Sequence, residues 1–208
     1  MTPWNRTPMS LRNAAPPFVL LLSLVCVLGA CARRVDTTAS GAQPTLEAYY
    51  PLAVGNRWTY AVNGAADKRV EVAILKEEGG YFHDSQGGRF AHDAFGLRDG
   101  DKRYLLRGPL EVGHGWTSIV SVSSTERYRI TATGVPCEVP AGSFQDCVQV
   151  ESRTRAAGDR VLSAHYTFAP RVGLVRLETQ LEEGKRRLPQ VKLELASFSL
   201  GGGAAAPR

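Results

Sequence analysis

Cys137 and Cys147 stand symmetrically about Gly142 in the stretch "CEVPAGSFQDC". Two thiols this close in sequence can form a disulfide, bind a metal, or carry out thiol–disulfide exchange. The Cys-x-x-Cys spacing of the exchange enzymes is absent, which argues against a redox role. With Ala141-Gly142-Ser143 as a hairpin tip, Pro140 faces Phe144 and Cys137 faces Cys147. Opposed residues of a non-hydrogen-bonded pair bring their Cβ atoms close enough to bridge. The spacing therefore predicts a Cys137–Cys147 disulfide, and closing so short a loop stabilises by around 2–3 kcal/mol.

A second group of reactive residues lies in "HDSQGGRFAHD", which contains His83-Asp84 and His92-Asp93 on either side of a glycine turn. Paired across a hairpin they could approach a zinc site. Neighbouring residues on a strand point to opposite faces, however, so neither pair chelates without a bend. His114 and His165 are far away in sequence. We therefore expect turn and strand-end histidines and no metal. Neither a nucleophile elbow, a Ser-x-x-Lys, a His-Glu-x-x-His nor a phosphate loop occurs. No carboxylate pair suited to glycoside hydrolysis can be named. Hence no catalytic residue and no cofactor are expected, and the chain reads as a non-enzyme.

The other two of the four cysteines explain the amino terminus. Arg6 and Arg12 form a positive segment, followed by the apolar run "FVLLLSLVCVL" that carries Cys26. That run is too short for a comfortable membrane span and reads as a signal peptide, residues 1–30. It ends in "LGAC", which resembles the bacterial lipobox. The resemblance implies cleavage after Ala30, a diacylglycerol on the Cys31 sulfur and acylation of the new amine. Several acyl chains anchor stably, at about 0.8 kcal/mol per buried methylene. Ala32, in place of the aspartate that often retains lipoproteins at an inner membrane, tilts the destination to the outer membrane. Export also supplies the oxidising compartment that the Cys137–Cys147 bridge needs. Residues 31–45, polar and without periodicity, read as a lipidated flexible tether, and residues 201–208 as a disordered tail.

These residues need a scaffold, and the chain announces it twice. "PLAVGNRWT" begins at Pro51 and "PLEVGHGWT" at Pro109, 58 residues apart. Proline flanks a strand, and Gly55 and Gly113 allow a positive φ that turns the chain so that Trp58 and Trp116 enter the core. From each Trp the sequence alternates with period two, breaks, and resumes twelve residues later at Val70 and Tyr128, predicting the same hairpin register in both halves. A buried Trp in each hairpin covers about 150–250 Å². The repeat thus reads as a folding device, with a Trp-lined ligand platform as the rival. Further short strands follow, among them "YFHDS", "FGLR", "KRYLLR", "STERYRITAT", "DCVQVES", "RVLSAHYTFA", "LVRLETQ" and "LPQVKLELASFSL". No window shows a helical period. The expectation is one all-β domain over residues 46–200, an antiparallel meander forming a curved open sheet, a half-barrel or a sandwich.

Four phrases, "YYPLAVGNRWTY", "VPCEVPAGSFQDCVQVE", "YTFAPRVGLVRLE" and "LELASFSL", resemble the TapB-like domains, an uncharacterised group of bacterial secreted proteins and lipoproteins. The resemblance runs from about Tyr49 to Leu200. It implies a β-rich fold in the cell envelope and brings no catalytic residues with it.

The charge is mild. The chain carries +5, and removal of Arg6 and Arg12 with the signal lowers this by two to +3, too little to argue for nucleic acid. What remains is a membrane-anchored envelope lipoprotein. It would bind a hydrophobic ligand or an envelope partner through its sheet, because an open curved sheet leaves a concave apolar face. A structural scaffold working through strand edges is the alternative, and an enzyme of unrecognised type is a third.

Overall fold

The computed structural model describes residues 44–201, so the signal peptide, the lipidation site Cys31, most of the tether and nearly all of the tail lie outside the described residues. After one 3₁₀ turn, Glu47–Tyr49, every regular element is a strand. The first six are β1 (Arg57–Val62), β2 (Ala65–Glu78), β3 (Tyr81–Asp84), β4 (Arg89–Asp93), β5 (Gly96–Asp99) and β6 (Arg103–Arg107). The second six are β7 (Gly115–Ser121), β8 (Ser124–Val139), β9 (Gly142–Arg155), β10 (Arg160–Ala169), β11 (Gly173–Glu183) and β12 (Arg186–Ser199). Period-two patterning builds them: in β7, Trp116 and Ser118 are buried while Thr117 and Ile119 are exposed.

The strands pair in the order β6-β5-β4-β3-β2-β1-β12-β11-β10-β9-β8-β7. Two six-stranded antiparallel meanders are joined where β1 pairs with β12. The outer strands β6 and β7 are consecutive in the chain and meet again, so the meander curls into a nearly closed barrel. Of the expected shapes, the curved meander is the one found.

The repeated phrase makes the same corner twice. Gly55 and Gly113 adopt φ of 95° and 92°. Gly55 N donates to Ile74 O and Gly113 N to Ile130 O, while Ile74 N donates to Asn56 O and Ile130 N to His114 O. Each corner delivers a buried Trp to the interior, where Trp58 stacks on Tyr50 and Trp116 on Tyr128. The expected equality of register does not hold. Trp58 lies opposite Val72 and Trp116 opposite Tyr128, because a register shift at Ala61/Val62 lengthens the first hairpin. Two further strand expectations are corrected. "RFAHD" forms β4, and β8 runs on through Gly134 and Pro136 to Val139. Register shifts beside those two residues let the strand continue where turn-forming residues suggest a break.

Candidate functional site

Inward-facing residues of β8 to β12 form rows across the sheet. The deepest of three is Ile130, Val150, Tyr166, Leu177 and Leu193. About 7 Å along the strands comes Tyr128, Ser152, Ala164, Thr179 and Val191, and then Glu126, Thr154, Leu162, Leu181 and Leu188. Burial falls along this path. Ile130 and Val150 are fully dry, whereas Leu162, Leu188 and Val191 are 41%, 37% and 41% exposed. The cause is strand length. β1 stops at Val62, opposite Leu193, so the following stretch of β12 back to Arg186 pairs only with β11. The arm of β10, β11 and β12 therefore runs on past the end of β1 and carries Leu162, Leu181 and Leu188 side by side on its inward face, at one mouth of the barrel.

Toward β6 the same rows become polar. Arg103 on β6 donates through Nη1 to Asp99 Oδ2 at 2.7 Å and through Nη2 to Glu126 Oε1 at 3.1 Å. Tyr128 Oη donates to Glu126 Oε2 at 2.6 Å. Burial, reinforced by that bond to a carboxylate, pushes the Tyr128 phenol well above its usual range, so it stays a neutral donor. Burial likewise raises Tyr166. The Arg103–Glu126 pair also spans the seam between β6 and β7. There Trp116 Nε1 donates to Tyr104 O at 2.9 Å, and Tyr104 N to Ser118 Oγ at 3.4 Å. Side chains thus close the barrel at the seam. The inward rows run from leucines on β10 to β12 to hydrogen-bonding side chains on β8 and β6.

The residues singled out in the sequence fall elsewhere. Asp84 Oδ1 accepts the backbone N–H groups of Gln86 and Gly88, and Asp93 Oδ1 those of Phe95 and Gly96. Both aspartates shape turns. His92 Nε2 is 2.8 Å from Tyr50 O, and the His114 ring lies tilted by 32° against Trp116, centroids 5.9 Å apart. Among the described residues, no three His, Cys, Asp or Glu side chains gather as a metal site.

The Cys137 and Cys147 sulfurs lie 2.05 Å apart, bonding distance for a disulfide, with their Cα atoms 6.2 Å apart. The register between them differs from the expected one. Val139 pairs with Gly142, leaving Pro140 and Ala141 as the turn, so Cys137 faces Phe144 and Cys147 faces Val135. A further one-residue shift lies near Asp146, whose φ is 58° and whose carbonyl accepts the Tyr49 hydroxyl at 2.8 Å. Cys31 lies outside the described residues.

The leucine row was not foreseen. The strands that carry it are plain in "RVLSAHYTFA", "LVRLETQ" and "LPQVKLELASFSL", but only the register sets Leu162, Leu181 and Leu188 abreast.

No family model matches the sequence, and no curated protein matches it. The TapB-like resemblance accordingly stands on its four phrases. Two crystal structures show a distant likeness to this chain. One is a predicted lipoprotein of Parabacteroides distasonis, 14% identical, with a TM-score of 0.39 over 73% of this chain and 98% of that one. The other is a predicted exported protein of Bacteroides fragilis with a YmcC-like fold, 13% identical, with a TM-score of 0.40 over 73% of this chain and 98% of that one.

Proposed function

We propose that this chain is a non-enzymatic lipoprotein of the bacterial envelope, held at the outer membrane by acyl chains on Cys31, whose barrel mouth binds an acyl-chain amphiphile. The address rests on the "LGAC" ending of the apolar run. The ligand class rests on one observation, the partly exposed row of Leu162, Leu181 and Leu188 on the inward face, continuing into the polar Thr154 and Glu126. Leucines left wet on the inside of a curved sheet cost hydration free energy that an apolar ligand recovers.

The rival use of the sheet, pairing of a partner strand with a free edge, is less well supported. The stretch of β12 that lacks a β1 partner carries Pro189, which has no N–H to offer, and a register shift beside it.

A fluorescent apolar probe, N-phenyl-1-naphthylamine, tests the proposal in a soluble form beginning at Ala32. The unchanged protein should enhance its emission saturably. A Leu162→Gln, Leu188→Gln double variant should bind at least about thirtyfold more weakly, since each leucine contributes on the order of 1–2 kcal/mol by burying apolar surface against a ligand. Equal binding by the variant, or none by the unchanged protein, would overturn the assignment.

A further inference from the structure

The outer face of the same strands carries a different chemistry. Arg127 on β8 lies directly opposite Arg153 on β9, and like charges so placed are destabilising. Arg155 follows on the same face, opposite Val161 of β10. These three arginines, with Ser123, Thr125, Thr154 and Val161, line a groove of about 480 Å³ that has no carboxylate among its lining residues. The nearest acids are already engaged. Glu151 and Glu182 both bind Arg153, and Glu182 also faces Arg187 at 3.8 Å. Arg127 and Arg155 form no ion pair among the described residues.

An arrangement that breaks the cross-strand charge rule and leaves two guanidinium groups unneutralised is what a missing anion would satisfy. Glu151 and Glu182 hold Arg153 from the side, with Arg153 Nη2 2.6 Å from Glu182 Oε2, which fixes the middle of the three cations in place. A carboxylate ligand offers one charge and two oxygens. Two free guanidinium forks, with the carboxylate-held Arg153 between them and hydroxyl groups beside them, suit a tetrahedral group with more charge and more acceptors.

We infer that the outer face of β8, β9 and β10 binds a phosphate ester through Arg127, Arg153 and Arg155. The site differs from the proposed mouth in its charged groups: Arg127, Arg153 and Arg155 face outward whereas Leu162, Leu181 and Leu188 face inward, and Thr154 is the residue common to the groove and the inward row. The same chemistry is presented by a free phosphate compound and by an anionic lipid headgroup.

Isothermal titration of the whole chain in a neutral detergent distinguishes the two, with inorganic pyrophosphate and dihexanoylphosphatidic acid as the probes. Saturable binding of pyrophosphate supports the site with a free phosphate as its ligand. Binding of the phosphatidic acid alone supports it with a lipid headgroup. Arg127→Gln with Arg155→Gln should weaken that binding at least about tenfold, as loss of charged hydrogen bonds does. Each single variant should weaken it less. The melting temperature of Arg127→Gln should be unchanged or higher, because the opposed charge is gone. Arg69→Gln, on β2, should change nothing. Naphthylamine binding at the mouth should survive in the arginine variants, so failure of this site and failure of the mouth are read separately. Absence of binding by both probes, equal binding by the double variant, or an equal loss in Arg69→Gln would overturn the inference.

Discussion

The indole N–H of Trp116 donates to the backbone carbonyl of Tyr104 at 2.9 Å, tying β7 to β6 where the meander meets itself. Trp58, its counterpart in the repeated phrase, donates instead to Val172 O at 2.6 Å, in the loop between β10 and β11. One motif therefore serves two purposes. Its first copy pins a loop to the core, and its second closes the barrel.

Removing either indole should be costly. Trp58→Ala and Trp116→Ala should each lower the unfolding free energy by about 3–5 kcal/mol, the range for core aromatics. Trp116→Phe keeps a ring to stack on Tyr128 and loses only the seam bond, so about 1–3 kcal/mol is expected. Denaturant titration checks both. A Trp116→Phe protein as stable as the original would show that the seam bond is idle.

The Cys137–Cys147 bridge should be present in freshly purified protein. Peptide mapping without reductant is expected to yield one linked fragment, and Cys137→Ser with Cys147→Ser should cost about 2–3 kcal/mol. Two alkylatable thiols in the native protein would refute the pairing.

Asp93 should contribute to acid sensitivity. Burial works to raise its pKa, but bonds from the Tyr104 hydroxyl and from the Phe95 and Gly96 N–H groups, with Arg98 nearby, outweigh it and hold the carboxyl below its usual range. A depressed folded value means that the stabilisation is complete above the unfolded pKa of about 3.9 and drains as pH falls through the lower folded one. Urea midpoints measured from about pH 6 to about pH 3 should fall more steeply for the original protein than for Asp93→Asn. Parallel slopes would contradict this.

Cys31 should be the mature amino terminus and the whole of the membrane attachment. Cys31→Ser should leave an unprocessed precursor held by its signal. A form starting at Ala32 behind an ordinary cleavable signal should be released soluble. If that lipid-free form still sediments with membranes after a high-salt wash, the folded part itself binds bilayer.

Much of the fold was legible because strand formation is local. Trp58, Tyr60, Trp116 and Ser118 face inward as the period-two pattern requires, and Gly55 and Gly113 turn as their freedom at positive φ allows. What escaped was register, which depends on where a strand accommodates an extra residue. The turn falls at Pro140-Ala141 and not at Ala141-Gly142-Ser143, which takes Cys147 out of line with Cys137, and the extra residue near Asp146, at φ 58°, then sets it opposite Val135; nothing in "SFQDCV" marks that residue out. The mouth was hidden for the same reason. Leu162, Leu181 and Leu188 look like ordinary inward positions until the end of β1 at Val62 is known to leave their arm uncovered.

The lipid-free form starting at Ala32 contains two tryptophans, and they sit at different depths. Trp116 lies in the row of Tyr128 and Val191, next to the exposed leucines. Trp58 lies opposite Phe198, five residues beyond Leu193 and so about 15 Å further along the strands. A fatty acid brominated near its methyl end quenches indole fluorescence only at short range. In Trp58→Phe, where Trp116 is the remaining fluorophore, titration with this acid should quench strongly and saturably. In Trp116→Phe the remaining Trp58 should be quenched little. Absent quenching in both, or quenching of Trp58 equal to that of Trp116, would contradict an acyl chain seated in the mouth.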